Sequence, residues 1–115
     1  MLQHEIQEAI EAEVERMEGL IEQITLAARE DAVAEADLKV RFAKERLKAR
    51  AEAQATGTKL TADTVDDMAM VATEQERYAH LIAQGTLMAY REAFRASQTH
   101  LDALRTLDVS HRAAP

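Results

Sequence analysis

The sequence has no cysteine, one proline and only three glycines among its 115 residues. Without cysteine the chain cannot form disulfides, thiolate metal sites or a cysteine nucleophile, and we expect a cytoplasmic protein. Because the only proline is the last residue and glycine is scarce, almost nothing interrupts a helix before Ala55. No apolar run approaches the ~20 residues that a bilayer span needs, so we expect no membrane partner.

Aromatic side chains are also few, at 3 % of the sequence, although hydrophobic residues reach 47 %. The apolar content is therefore largely alanine, which packs helices closely along thin seams. Phe42, Tyr78, Tyr90 and Phe94 lie at spacings that suit a packed core, which argues against base stacking. Long helices in so short a chain usually need partner subunits to bury their apolar stripes, so we expect self-association.

The residues that dominate the sequence are strong helix formers, and they predict an all-α fold: a long helical hairpin that assembles into a homo-oligomer. Gly57 suits the position after a helix C-terminus, and Thr61 suits an N-cap. A single helical domain over 1–107 would contain a helix at about 2–55, a break at 56–61, a short helix at about 62–72 and a helix at about 73–107, followed by a flexible tail at 108–115. One continuous helix from Ala62 is the alternative.

Heptad-like spacing along both long helices marks the side chains expected to form packing or oligomer seams of coiled-coil type. They are Val33, Val40, Phe42, Leu47, Leu87, Tyr90, Phe94, Leu101 and Leu104. Around residue 42 the first helix carries two apolar stripes, one with Leu38, Phe42 and Ala49 and the other with Val40, Ala43, Leu47 and Ala51. Two separate stripes imply two partner faces. The other arm of the hairpin can cover one stripe, whereas the second stripe needs another subunit.

The net charge of −7 is spread unevenly along the chain. Residues 1–37 hold 11 acidic and 2 basic residues, whereas residues 38–59 hold 2 acidic and 7 basic residues, a net charge of +5. The seven cations are Lys39, Arg41, Lys44, Arg46, Lys48, Arg50 and Lys59. They predict either an electrostatic track for nucleic-acid phosphates or an ordinary solvated helix face, in which Glu45 and Glu52 pair with neighbouring cations.

No other group of residues in the sequence predicts a catalytic or metal-binding site. A carboxylate stripe on the first helix is typical of a solvated face, and it could also dock on a basic protein; it comprises Glu8, Glu11, Glu15, Glu18 and Glu22. The four histidines are scattered outside any metal-binding or catalytic spacing. We therefore predict no enzyme activity, no catalytic residue, no metal site and no cofactor.

Three segments share their layout with a known family. The first helix ends in the Ala/Lys/Arg-rich stretch EADLKVRFAKERLKARAEA, the break TGTKLTAD contains a glycine, and the last helix ends in FRASQTHLDALRTL. From about Glu35 to Leu107 the chain thereby resembles the phage recombination mediator family, the UvsY-like proteins.

This resemblance implies an all-helical, ring-shaped homo-oligomer that binds single-stranded DNA through a basic helical segment. It also implies that the protein helps to load a recombinase onto DNA covered by single-strand-binding protein, in the host cytoplasm if a phage encodes it. The DNA-binding role would fall on the six helical cations, with Lys59 as a weaker addition. Because the chain is net acidic and poor in aromatics, we expect weak binding that depends on many repeated sites.

Two other functions stay open at this point. The protein could be a structural or adaptor coiled coil in a larger assembly, such as a phage particle, and it would then bind no DNA. It could also be a small inhibitor that docks its acidic first helix on a basic partner.

Overall fold

A computed structural model describes residues 2–114, and this part of the chain forms three helices and no strand. Helix α1 spans Gln3–Thr56, α2 spans Ala62–Ala72 and α3 spans Glu74–Ala113. The predicted all-α class, with its long, short and long helices, is confirmed.

The break between α1 and α2 has the local chemistry that the sequence predicts. Gly57 has a φ of +71°, a left-handed conformation that side chains with a Cβ adopt only with strain. Beyond it, the N–H of Thr58 reaches back 2.8 Å to the carbonyl of Ala53. Thr61 then caps α2, because its side-chain oxygen accepts a hydrogen bond of 3.1 Å from the N–H of Thr64.

Helices α2 and α3 are separate, and a single residue, Thr73, lies between them. Thr73 is fully buried, and both its N–H (3.1 Å) and its hydroxyl (2.7 Å) donate to the carbonyl of Ala69. The carbonyl of Thr73 accepts from the N–H of Arg77 at 2.9 Å, which begins α3. The alternative of one continuous helix from Ala62 is therefore wrong.

The C-terminal boundary also differs from the prediction. Helix α3 continues to Ala113, whereas a flexible tail was expected over 108–115, of which Pro115 lies outside the described residues. Asp108 is buried, and its carboxylate accepts hydrogen bonds from the side-chain amides of Gln3 and Gln7. Polar contacts thus hold the last turns of α3. The apolar periodicity of the sequence ends at Leu107, so it could not predict these contacts.

The described residues form two compact units. The single helical domain over 1–107 stays a prediction. The first unit contains residues 2–27 and 86–114, and in it the start of α1 packs antiparallel to the end of α3. Its packed side chains are buried or half-buried along one face of each helix; they include Ile6, Ala27, Leu87, Tyr90, Phe94, Leu101 and Leu104.

The second unit contains residues 28–85, with the end of α1, all of α2 and the start of α3. Small side chains fill its centre: Ala49, Val65, Ala69 and Thr73 are buried, and the bulkier Phe42 is half-buried. The small side chains of Ala49 and Ala69 let the helices approach closely. In the part of the chain that the structure describes, no helix is both long and apolar enough to cross a bilayer.

Candidate nucleic-acid interface and the face beside it

Helix α1 presents two different apolar faces in the second unit, as the two predicted stripes require. Its inner face is packed, with Ala49 buried and Leu38 and Phe42 half-buried. We call the opposite face the outer stripe and define it by Val33, Val40 and Leu47, which are 55, 54 and 64 % exposed.

The predicted seam residues therefore fall into two groups. Six of them pack within the chain: Phe42, Leu87, Tyr90, Phe94, Leu101 and Leu104. The other three form the outer stripe and face solvent in the single chain. The core position expected for Tyr78 is wrong, because this side chain is 59 % exposed.

Three of the seven predicted DNA-binding cations are engaged in ion pairs. Lys39 lies 3.0 Å from Glu35, and Arg41 lies 3.1 Å from Glu45. Arg41 also approaches Glu76 of α3, at 4.0 Å.

The third engaged cation, Arg46, joins α1 to α2. Its Nε lies 2.9 Å from the Oδ1 of Asp66, at an angle outside that of a hydrogen bond. Its guanidinium also lies over the ring of Phe42, 6.0 Å from the centroid. Arg46 therefore has a structural role in the second unit.

The ion pair between Glu35 and Lys39 affects the pKa of Glu35. The pKa of Glu35 lies below its ordinary value, first because Lys39 donates a hydrogen bond and then because of the positive charge of that ammonium, while burial opposes the shift. Lys39 is thus already partly neutralised within its own helix.

The remaining four cations are exposed and have no carboxylate within 4.0 Å among residues 2–114. We call them the open cations: Lys44, Lys48, Arg50 and Lys59. At ~100° per residue, Lys44 and Lys48 lie on one flank of the outer stripe and Arg50 lies on the other. Because Lys44 and Lys48 are one turn apart, their like charges repel each other unless an anion lies between or beside them.

Sequence reasoning missed the carboxylates that neutralise part of this segment from other helices. It considered only pairing within α1, through Glu45 and Glu52, whereas Asp66 comes from α2 and Glu76 from α3. No local pattern identifies these partners, because only the folded arrangement brings them to Arg46 and Arg41.

Other charged groups that the structure describes lie in an exposed stripe or in contacts between helices. Within the described residues, no three acidic or histidine side chains lie close enough together to hold a metal ion. The carboxylate stripe of α1 is exposed at Glu8, Glu11, Glu15, Glu18 and Glu22. In the second unit, His80 Nε2 lies 3.3 Å from Asp31 Oδ1, a contact between α3 and α1 that contributes to packing.

Comparison of the chain with models of protein families, with curated proteins and with solved structures gives no match. The resemblance to the UvsY-like family thus stays a prediction from the sequence.

Proposed function

We propose that this protein is a non-enzymatic, self-assembling mediator that binds single-stranded DNA and helps to load a recombinase. The observation that carries the proposal is the group of open cations. They are four exposed positive side chains within 16 residues, on a chain whose net charge is −7. The role with a recombinase rests on the family resemblance, and the DNA contact rests on these side chains.

A phosphate backbone suits the open cations better than a compact anion does. Lys44, Lys48 and Arg50 are strung along about 9 Å of helix, with Lys59 in the following break, whereas a small ligand would need convergent donors. Binding of this kind is driven largely by the release of counterions, so it depends on salt and tolerates many sequences.

One copy of the chain offers only a few phosphate contacts, and acidic residues outnumber basic ones in the rest of the sequence. Useful affinity therefore requires several copies on one DNA strand, because each further contact of a linked assembly is intramolecular. The exposed outer stripe supports this requirement, since a second subunit that covers it would bring two sets of open cations together.

The test compares two double variants with the same change in net charge. In Lys44→Glu/Lys48→Glu, two open cations are reversed; in the control, Arg91→Glu/Arg105→Glu, two exposed arginines of α3 are reversed. Binding to a labelled single-stranded oligonucleotide is measured from low to moderate salt. We expect the first variant to bind much more weakly than the parent. Its slope of log affinity against log salt should fall by about 1.4 per subunit, ~0.7 for each lost phosphate contact.

The control should keep both the affinity and the salt slope of the parent. If the two variants bind equally well, or if the parent fails to bind at low salt while its assembly is intact, the DNA-binding function is refuted. Recombinase loading is tested separately, by the rate at which a recombinase displaces single-strand-binding protein from DNA with and without this protein.

The exposed outer stripe also favours a second candidate function, a structural or adaptor coiled coil. That function requires no nucleic acid, so it predicts full activity of the partner complex in the Lys44→Glu/Lys48→Glu variant. Absence of DNA binding together with an intact assembly would support it.

A further inference from the structure

Asp66 of α2 lies against Arg46, on one flank of the basic segment of α1. The distance from Asp66 Oδ1 to Arg46 Nε is 2.9 Å, and among residues 2–114 no other carboxylate comes within 4.0 Å of this guanidinium. An anion from solution can still reach Arg46, because its side chain is 36 % exposed. The carboxylate of Asp66 thus occupies a cation that a phosphate would otherwise contact.

We propose that the contact of Asp66 with Arg46 is autoinhibitory: Asp66 masks Arg46 and thereby limits the affinity of the basic segment for single-stranded DNA. The inference rests on the proposed function and adds a means of regulation to the same site. When Asp66 is neutralised, or when α2 moves away from α1, Arg46 becomes a further phosphate contact.

The position of Arg46 on α1 gives the mask its effect. At ~100° per residue, Arg46 and Arg50 lie on the same flank of the outer stripe, one turn apart, whereas Lys44 and Lys48 lie on the other flank. Each flank can therefore present two cations about 6 Å apart along the helix axis. While Asp66 holds Arg46, the flank of Arg50 presents one open cation in place of two.

The chemistry of the contact allows it to open. The two contacting atoms are shielded from solvent and neither takes part in a hydrogen bond, so charge alone joins them. A phosphate can instead accept two parallel hydrogen bonds from a guanidinium. The ring of Phe42 lies 6.0 Å from the guanidinium and helps to keep Arg46 on its flank. An Arg46 released from Asp66 is therefore already placed to contact a phosphate.

A purely structural ion pair would behave differently from a mask. If the contact only joined α1 to α2, removal of the carboxylate would lower the stability of the fold and leave DNA binding unchanged. The mask instead predicts tighter DNA binding from the same substitution. The salt dependence of binding separates the two roles, because its slope reports the number of phosphate contacts.

The test compares two substitutions in α2 that remove the same charge. Asp66→Asn removes the carboxylate that contacts Arg46, and the control, Asp67→Asn, removes an exposed carboxylate with no cation within 4.0 Å in the described residues. Binding to a labelled single-stranded oligonucleotide is measured over a range of salt concentrations. We expect Asp66→Asn to bind more tightly than the control, with a slope of log affinity against log salt that is steeper by ~0.7 per subunit, as for one added phosphate contact.

A second substitution shows whether the gain passes through Arg46. Arg46→Gln added to Asp66→Asn should return the salt slope to that of the parent. In the parent background Arg46→Gln should leave the slope unchanged, because the masked guanidinium contacts no phosphate. Circular dichroism shows whether each variant stays helical. Equal salt slopes for Asp66→Asn and Asp67→Asn overturn the mask.

A measurement without DNA keeps this result separate from the proposed function. Phenylglyoxal modifies accessible arginines, and mass spectrometry of peptides gives the rate at each position. We expect Arg46 to react faster in Asp66→Asn than in the parent, whereas Arg50 should react equally fast in both. An unchanged rate at Arg46 refutes the mask whatever the DNA titration gives. A parent that binds no DNA refutes the proposed function, and the rate at Arg46 still shows whether Asp66 shields it.

Discussion

The Nδ1 of His100 lies 3.0 Å from the Oε2 of Glu13, so an acidic side chain of α1 is held by α3 in the middle of the first unit. Glu13 is buried, and the hydroxyl of Ser97 donates a second hydrogen bond to its other carboxylate oxygen. A buried carboxylate is costly without such partners. This cluster therefore favours one register of α1 against α3, because a slip of either helix would leave Glu13 without partners.

Acid should weaken the first unit through Glu13. Its pKa lies below the ordinary value, first because of the hydrogen bond from Ser97 and then because of His100, while burial opposes the shift. A carboxyl group whose pKa is depressed by folding stabilises the fold above its ordinary pKa and loses that contribution as the pH falls through its folded value. We expect the free energy of unfolding to fall as the pH drops below about 4.

The variant Glu13→Gln should show a shallower pH dependence of the free energy of unfolding in this acid range, because it has no proton to take up. Urea unfolding measured between about pH 5 and pH 3 gives the comparison. Glu15→Gln, which changes an exposed carboxylate two residues away, should keep the slope of the parent. Equal slopes for the parent and Glu13→Gln would show that ionisation of Glu13 does not stabilise the first unit.

Removing the carboxylate of Asp108 should destabilise the first unit. Asp108→Ala leaves the amides of Gln3 and Gln7 without their acceptor, and the guanidinium of Arg112 loses a partner at 3.3 Å. We expect a loss of about 1 kcal/mol in the free energy of unfolding, because the half-buried amide donors of Gln3 and Gln7 lose their acceptor. Asp102→Ala, at an exposed position of the same helix, is the control. Equal stability of the two variants would mean that the last turns of α3 need no anchor.

The sequence predicted the three helices and the break because local chemistry decides them. Strong helix formers run without interruption, and Gly57 and Thr61 lie where a helix must end and the next must begin. The end of α3 was missed because Asp108 is held by side chains about a hundred residues earlier in the chain. No pattern near residue 108 indicates that contact.

The candidate interface was only partly predictable for the same reason. Composition identifies the basic segment, and helical periodicity identifies two apolar stripes on α1. Which cations are open depends on the carboxylates of α2 and α3, and only the fold places Asp66 beside Arg46 and Glu76 near Arg41. Periodicity also cannot predict which of the two apolar stripes of α1 is packed within the chain and which is exposed.

The two glycines at Gly57 and Gly19 should respond to alanine with opposite signs. Neither would bring a new Cβ within 4 Å of another group, so sterics with neighbours play no part. At Gly57 the positive φ strains alanine, and we expect a loss of about 1 kcal/mol in the free energy of unfolding. At Gly19, inside α1, alanine should add about 0.5–1 kcal/mol, because it loses less conformational entropy. Urea unfolding of both variants measures the two changes in stability. A gain in stability for Gly57→Ala would contradict the left-handed conformation of Gly57 after the end of α1.

A charge-swap experiment should distinguish the structural role of Arg46 from the DNA-binding role of the open cations. Arg46→Asp places two carboxylates together where α1 meets α2, so we expect a loss of about 1 kcal/mol or less, as for exposed ion pairs. Adding Asp66→Arg restores an ion pair of reversed polarity without changing the net charge of the chain, so stability should recover. Because Arg46 is neutralised by Asp66 in the parent, the swapped protein should bind single-stranded DNA with the salt slope of the parent. Urea unfolding and the oligonucleotide titration are measured on the same preparations. A swapped protein that is stable and yet binds DNA as weakly as Lys44→Glu/Lys48→Glu would instead place Arg46 among the phosphate contacts.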